Sequence, residues 1–171
     1  MILFLTGKWG SGKSYVGDLI KEHCGVPHLE ADIHFDKRML NAIHARTFHD
    51  LDMTAYYNRV IADIFAFQKR ADNFVVSQGI YQERFRREIY NCFEPEIRFV
   101  LVDTPEEETL KERLIERGSK GNPISPEVYD YMNPIWEDLE LPHQVLINDE
   151  TVEEATRQLV HSIGFCFHWE Q

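Results

Sequence analysis

Five short apolar runs punctuate the chain: Ile2–Leu5, Val26–Leu29, Phe74–Ser77, Ile97–Val102 and Gln144–Ile147. They are rich in Val, Ile, Leu and Phe, and most are nearly continuous, the pattern of strands buried on both faces of a parallel sheet. Between them apolar positions recur at helical spacing. Lys13–His23 carries Val16, Leu19 and Ile20 on one stripe, Thr54–Arg70 carries Val60, Ile64 and Phe67, and Glu83–Asn91 is a shorter amphipathic stretch. Thr104-Pro105-Glu106-Glu107 reads as a helix start, with an N-cap threonine, proline at the first helical position and acids in the first turn. The spacing predicts a helix from there to Arg117, stopped by Gly118. Ser125-Pro126-Glu127 predicts a second start of the same kind, and Thr151–Ile163 a last helix before Gly164. The order β-α-β-α-α-β-α-β-α-α-β-α predicts an α/β fold with right-handed crossovers and helices on both sheet faces. Ligands in such folds lie outside the carboxyl ends of the strands. Here those ends are the loops after residues 5, 30, 78, 103 and 147.

Composition narrows the class. The 171 residues suit one domain, residues 1–171, with a single core. A hydrophobic fraction of 43% and an aromatic fraction of 12% suit a packed protein rather than a disordered one. The formal net charge of −11, from 18 basic and 29 acidic side chains, argues against nucleic acid as a partner, since backbone binding needs clustered Lys and Arg. No apolar run approaches the ~20 residues of a membrane span, and the N-terminal run has no charged leader and reads as a strand. The three cysteines, Cys24, Cys92 and Cys166, form no CxxC pair and are odd in number. They predict neither a disulfide nor a zinc framework, and a cytoplasmic location. The histidines lack metal-ligand spacing such as HExxH, and all but His34 read as capping or surface side chains. The aromatic tail from Phe165 to Gln171 reads as packing on the sheet edge.

The chemistry starts at residues 7–14, Gly-Lys-Trp-Gly-Ser-Gly-Lys-Ser. Gly7, Gly12, Lys13 and Ser14 match the phosphate-loop pattern G-x-x-x-x-G-K-[ST], with a strand before and a helix after. Glycines allow backbone angles and close approaches that a Cβ would block, and consecutive N–H groups then point inward as an anion nest. The helix from Lys13 adds its positive dipole end. Lys13 is expected to reach the β- and γ-phosphates, and Ser14 to offer a hydroxyl to Mg²⁺. Gly7, Lys8, Trp9, Gly10, Ser11, Gly12, Lys13, Ser14 and Tyr15 are therefore the candidate nucleotide contacts.

Two further features surround this loop. Leu29-Glu30-Ala31-Asp32-Ile33-His34 places two carboxylates, two apart, at a strand tip. One acid can hold the magnesium shell while the other orients and deprotonates a hydroxyl; capping acids at a solvated strand end are the bland alternative. Arg113 and Arg117, four apart, share a helix face leading into a Gly- and Pro-bearing segment, 118–126, that reads as a short mobile lid. Arginine there can stack on a base or pair with phosphate. The alternative is a solvated face of Glu112 and Glu116 against the arginines.

With these residues the chain resembles the nucleoside-monophosphate-kinase-like family, in its gluconate kinase and shikimate kinase branch. The phosphate loop near the N-terminus, the Glu-x-Asp tip, Arg-x-x-x-Arg before a lid and the closing Leu146-Ile147-Asn148-Asp149 carry the resemblance as far as Ile163. It implies a three-layer α/β/α fold with a five-stranded parallel sheet in order 2-3-1-4-5. It also implies ATP with Mg²⁺, and transfer of the γ-phosphoryl group to a bound hydroxyl or phosphate; a small-molecule acceptor and a monomer or homodimer are expected. On that match Lys13, Asp32 and Arg117 are catalytic, Arg113 lies near adenine, and Ser14 with Glu30 serves the metal. Asp32 with His34 resembles the aspartate and histidine of gluconate kinases. Ala31 stands where those kinases usually have Gly, and Gly79 is alone where shikimate kinases have a glycine run. The acceptor is therefore open. The helical segment 36–72 is expected to bind it, and Arg38, Arg46, Gln78, Gly79 and Arg86 are the candidate contacts. A nucleoside, nucleotide or polynucleotide-end kinase and a nucleotide-dependent binding module remain as other readings. Against a GTPase, Asn-Lys-x-Asp is absent; against an ATPase motor, Ser77-Gln78 stands where a Walker B aspartate belongs.

Overall fold

The computed structural model describes residues 1–104, 106–119, 126–149 and 151–165, and all their side chains except those of 117–119 and 126. Most of segment 118–126, the tail beyond Phe165 and the Arg117 side chain therefore lie outside the described residues. The strands are β1 (Ile2–Thr6), β2 (His28–Glu30), β3 (Phe74–Ser77), β4 (Ile97–Asp103) and β5 (His143–Ile147). The helices are α1 (Lys13–Cys24), α2 (Lys37–His44), α3 (Thr54–Gln68), α4 (Glu83–Phe93), α5 (Glu107–Ser119), α6 (Pro126–Met132) and α7 (Val152–Ser162). Short 3-10 turns occupy Ala31–His34, Phe48–Asp50 and Asn133–Ile135. The order expected from the hydrophobic pattern holds, and the strands form one parallel sheet in order β2-β3-β1-β4-β5.

Alternation along each strand divides the core in two. Ile2, Phe4, Phe74, Val76, Ile97 and Phe99 face α3 and α4, meeting Tyr56, Val60, Ile64, Phe85 and Ile89. Leu3, Leu5, Val75, Val100, Val102 and Leu146 face the other way, meeting Val16 and Ile20 of α1 and Leu159 and Val160 of α7. Helices on both faces explain why the strands read as nearly unbroken apolar runs. No helix among the described residues is long and apolar enough to cross a membrane.

Several local expectations are corrected. Residue Thr104 does not cap α5, which begins at Glu107; its hydroxyl is claimed instead by Arg113, which donates to it at 3.0 Å. The helix also passes Gly118 and ends at Ser119. His28 is not a surface group. Its ring is buried between Ser77 Oγ (2.8 Å) and Asp18 Oδ1 (3.0 Å), pinning α1, β2 and β3 together. Gly17 makes this possible, because a Cβ there would lie 2.4 Å from the imidazole. Cys24 is disulfide-bonded, against the expectation from cysteine count and spacing, whereas Cys92 is a free thiol. Neither an odd count nor a missing CxxC excludes a disulfide.

Phe4 is fully buried and stacks on Phe99 with ring centroids 4.8 Å apart. Phe4→Ala leaves a cavity at the centre of the sheet and should lower stability by about 3–5 kcal/mol, read as a lower urea midpoint at unchanged m-value.

Candidate active site

The loop between β1 and α1 lies across the carboxyl ends of β4 and β5. A Cβ at Gly7 would sit 2.3 Å from the Val102 carbonyl oxygen, and one at Gly12 would sit 1.8 Å from the Asn148 amide nitrogen. Gly12 also holds φ at 91°, a left-handed angle that favours glycine. The Asn148 amide donates to Ser11 O at 2.7 Å, and the Arg113 guanidinium donates to Thr104 Oγ1 (3.0 Å) and Asn148 O (3.1 Å). Arg113 thus ties α5 to the back of the loop. The Lys13 ammonium donates to Lys8 O at 2.9 Å from a side chain only 7% exposed. Ser14 and Lys8 are half-buried, and Tyr15 is exposed. Helix α1 begins with no side-chain cap and no acid in its first turn, and the buried Ser11 hydroxyl has no hydrogen-bond partner. An open helix N-terminus, a buried ammonium and glycines at the points of closest approach fit a polyphosphate.

Across the rim, β2 ends at Glu30, and Asp32 lies on the 3-10 turn rather than on the strand. The two acids therefore do not share a strand face. The chain turns because Ala31 is drawn fully into the core and the Phe35 N–H closes onto Asp32 O at 2.9 Å. Both carboxylates are exposed. Burial raises the pKa values of the Tyr56, Tyr57 and Tyr81 phenols far above their ordinary value, and the nearby Asp32 charge raises each further. All three phenols are thus held neutral around Asp32. His34 Nε2 lies 2.6 Å from Asp63 Oδ2, with its ring edge-on to Tyr56 at 6.5 Å.

Sequence reasoning missed Asp63, Tyr56, Tyr81 and Thr104 and left Asn148 without a role. The first two had a signal, since residues 56, 60 and 63 share one face of α3. Nothing local in sequence marks Tyr81, whose hydroxyl accepts the Trp9 backbone N–H at 3.1 Å.

The candidate acceptor contacts divide. Arg38, on α2, and Arg46, just beyond it at φ 58°, are exposed. Gln78 is buried and donates to Tyr56 Oη at 2.7 Å, so it positions the tyrosine. Arg86 is fully buried against the segment that follows β3. Its guanidinium donates to Ile80 O (2.8 Å), Glu83 Oε2 (2.9 Å), Tyr81 O (3.1 Å) and Glu137 O, and lies over Trp136. Burial lowers its pKa, and Glu83 and Glu137 oppose that shift. With its donors engaged by the protein, Arg86 is a structural group here, not an acceptor contact. Among the described residues no group of three or more His, Cys, Asp or Glu could hold a metal ion. A magnesium ion at this loop would take the Ser14 hydroxyl and, through water, Glu30, with the remaining ligands from phosphate and water.

Solved structures share this architecture. A sugar kinase from Janibacter sp. HTCC2649 matches with a TM-score of 0.74 at 15% identity, over 96% of this chain and 94% of that one. A gluconokinase from Sinorhizobium meliloti 1021 matches at 0.68 with 20% identity, over 95% of each chain. A shikimate kinase from Acinetobacter baumannii, in complex with shikimate, matches at 0.62 with 14% identity, over 95% of this chain and 92% of that one. The fold is therefore the α/β P-loop kinase fold, as the resemblance implied. No protein-family model matches the chain, and no curated protein does.

Removing the Arg86 guanidinium would leave Glu83 buried without its main partner. Arg86→Ala should cost about 3–5 kcal/mol in stability, measured by chemical denaturation. Arg38→Ala and Arg46→Ala, both exposed, should leave the denaturation midpoint nearly unchanged.

Proposed function

We propose that the chain is an ATP-dependent kinase that moves the γ-phosphoryl group to a hydroxyl of a small metabolite, gluconate- or shikimate-like in chemistry. The observation that carries this reading is the pairing of two unlike sites across one rim. On one side is a glycine cradle with a buried ammonium, and on the other an exposed carboxylate whose charge reaches three buried, neutral phenols. A bare nucleotide binder needs the first and has no use for the second.

In this mechanism the loop N–H groups and the α1 dipole hold the nucleotide phosphates. The Lys13 ammonium, with three donors, neutralises charge on the transferred group while it stays at the loop. Asp32 orients the acceptor hydroxyl and takes its proton as the oxygen–phosphorus bond forms. The bond between the β- and γ-phosphates breaks, and its electron pair leaves with ADP. Tyr56, Tyr57 and Tyr81 stay buried and protonated, so they do not compete with Asp32 as bases. Arg117 is assigned to the transferring phosphate by resemblance alone. A monomer or homodimer is the setting we propose for this activity; the cytoplasmic location expected from the cysteines loses its support with the disulfide at Cys24.

Lys13→Ala should fold normally and lose turnover by about 10³, the low end for a charge on a transferring phosphoryl group. Retention of a tenth of normal turnover would remove Lys13 from the catalytic set. Asp32→Asn keeps size and hydrogen bonding but removes basicity. It should bind ATP normally by calorimetry and transfer labelled phosphate about 10²–10⁴ more slowly. Weakened ATP binding with intact transfer would instead place Asp32 in the metal shell and reverse its division of labour with Glu30.

A further inference from the structure

Gly79 follows the buried Gln78 and faces the phosphate loop. Its backbone is not left-handed. A Cβ there would meet nothing closer than 3.4 Å, the Gly7 carbonyl oxygen. Backbone angle and packing therefore leave residue 79 free to be something other than glycine. The other two neighbours of that Cβ position are the Lys13 ammonium and the Trp9 indole nitrogen, each 3.7 Å away. Both are donors with no acceptor capacity.

The indole is fixed where it is. Its ring meets Tyr81 edge-on at 5.5 Å and Phe35 at 6.3 Å, and it packs against Leu110, Leu114 and Tyr129. The Trp9 backbone N–H is taken by Tyr81, whereas the indole N–H donates to no described residue. Two donors thus converge beside Gly79 at the mouth of the phosphate loop. The Gly7 carbonyl on the third side repels an anion centred there, so a bound oxygen would lean toward the two nitrogens and into hydrogen-bond reach.

The geometry points to an oxyanion seat, formed by Lys13 Nζ and Trp9 Nε1 beside Gly79, for an oxygen of the phosphoryl group in transit. This rests on the phosphotransferase reading above and adds a residue to it. Trp9 is a catalytic residue that touches the transferred group, and glycine is required at residue 79 because a methyl would occupy the seat. The seat only donates hydrogen bonds; the acceptor proton still goes to Asp32. An oxygen of the γ-phosphoryl group should occupy it in the ground state as well; ADP lacks that group and should meet Lys13 through its β-phosphate without filling the seat.

The test is calorimetric and needs no acceptor. Wild type, Trp9→Phe and Gly79→Ala are each titrated with MgADP and with the Mg²⁺ complex of AMPPNP, a nonhydrolysable ATP analogue. Circular dichroism confirms that the variants fold. Trp9→Phe keeps an aromatic ring and deletes the donor together with part of the ring's packing; lost packing alone disturbs the loop for both nucleotides and lowers both affinities. Both variants should keep wild-type affinity for MgADP and lose about tenfold for AMPPNP, the scale of one hydrogen bond to a charged group. Trp9→Phe decides the matter. If it leaves the ratio of the two affinities unchanged, or lowers both affinities equally, the seat is refuted, whatever Gly79→Ala does, while wild-type nucleotide binding leaves the kinase reading standing. A wild type that binds neither nucleotide refutes both.

Discussion

The Asn148 amide occupies the place that a side chain at residue 12 would need. That exclusion and the left-handed backbone at Gly12 together hold the turn into α1, and the same amide donates to Ser11 O, fastening the loop against the end of β5. At the other end of the loop, Gly7 lies against the Val102 carbonyl with no room for a Cβ. Between these two contacts the backbone has little freedom, and α1 must start at Lys13. The open helix terminus, the inward ammonium and the Ser14 hydroxyl all follow from that placement. Substituting either glycine would displace the whole cradle rather than remove one contact.

Around this fixed loop the site sorts its charges by environment. The chain is strongly acidic, with a net charge of −11, yet the loop presents a cation, Lys13, at its mouth and another, Arg113, against its back. Buried tyrosines within reach of the Asp32 charge are held neutral, and in the proposed mechanism that carboxylate is the base. The aromatic groups that run from Trp9 through Tyr81 to Trp136 join the loop to α4 and to the turn before β5. The buried Arg86 beneath Trp136 fixes that arrangement from below.

Much of this was legible in sequence, for physical reasons. Strands buried on both faces leave unbroken apolar runs, so Ile2–Leu5 and Phe74–Ser77 stood out at once. A phosphate loop needs glycines at set spacings, so residues 7–14 did too. What could not be read depended on partners distant in the chain. His28 lies at the start of a strand and looks like a surface group until β3 is brought to it. Asp32 looked like a strand residue because the burial of Ala31, which turns the chain, is a tertiary event. Arg86 looked like a ligand because an arginine on an amphipathic helix is usually solvated; only the fold surrounds it with carbonyls. The Asn148–Gly12 contact joins residues 136 apart, and no local pattern announces it.

The central claim is that this site transfers a phosphoryl group to a hydroxyl rather than merely holding or hydrolysing a nucleotide. Phosphorus NMR of the purified chain with ATP, Mg²⁺ and a mixture of hydroxylated metabolites, including sugar acids and cyclic polyols, tests this most directly. The account predicts that ADP accumulates in step with a new phosphomonoester resonance and without matching inorganic phosphate. ADP appearing with an equal amount of inorganic phosphate, or ATP left unchanged across the mixture, would contradict it.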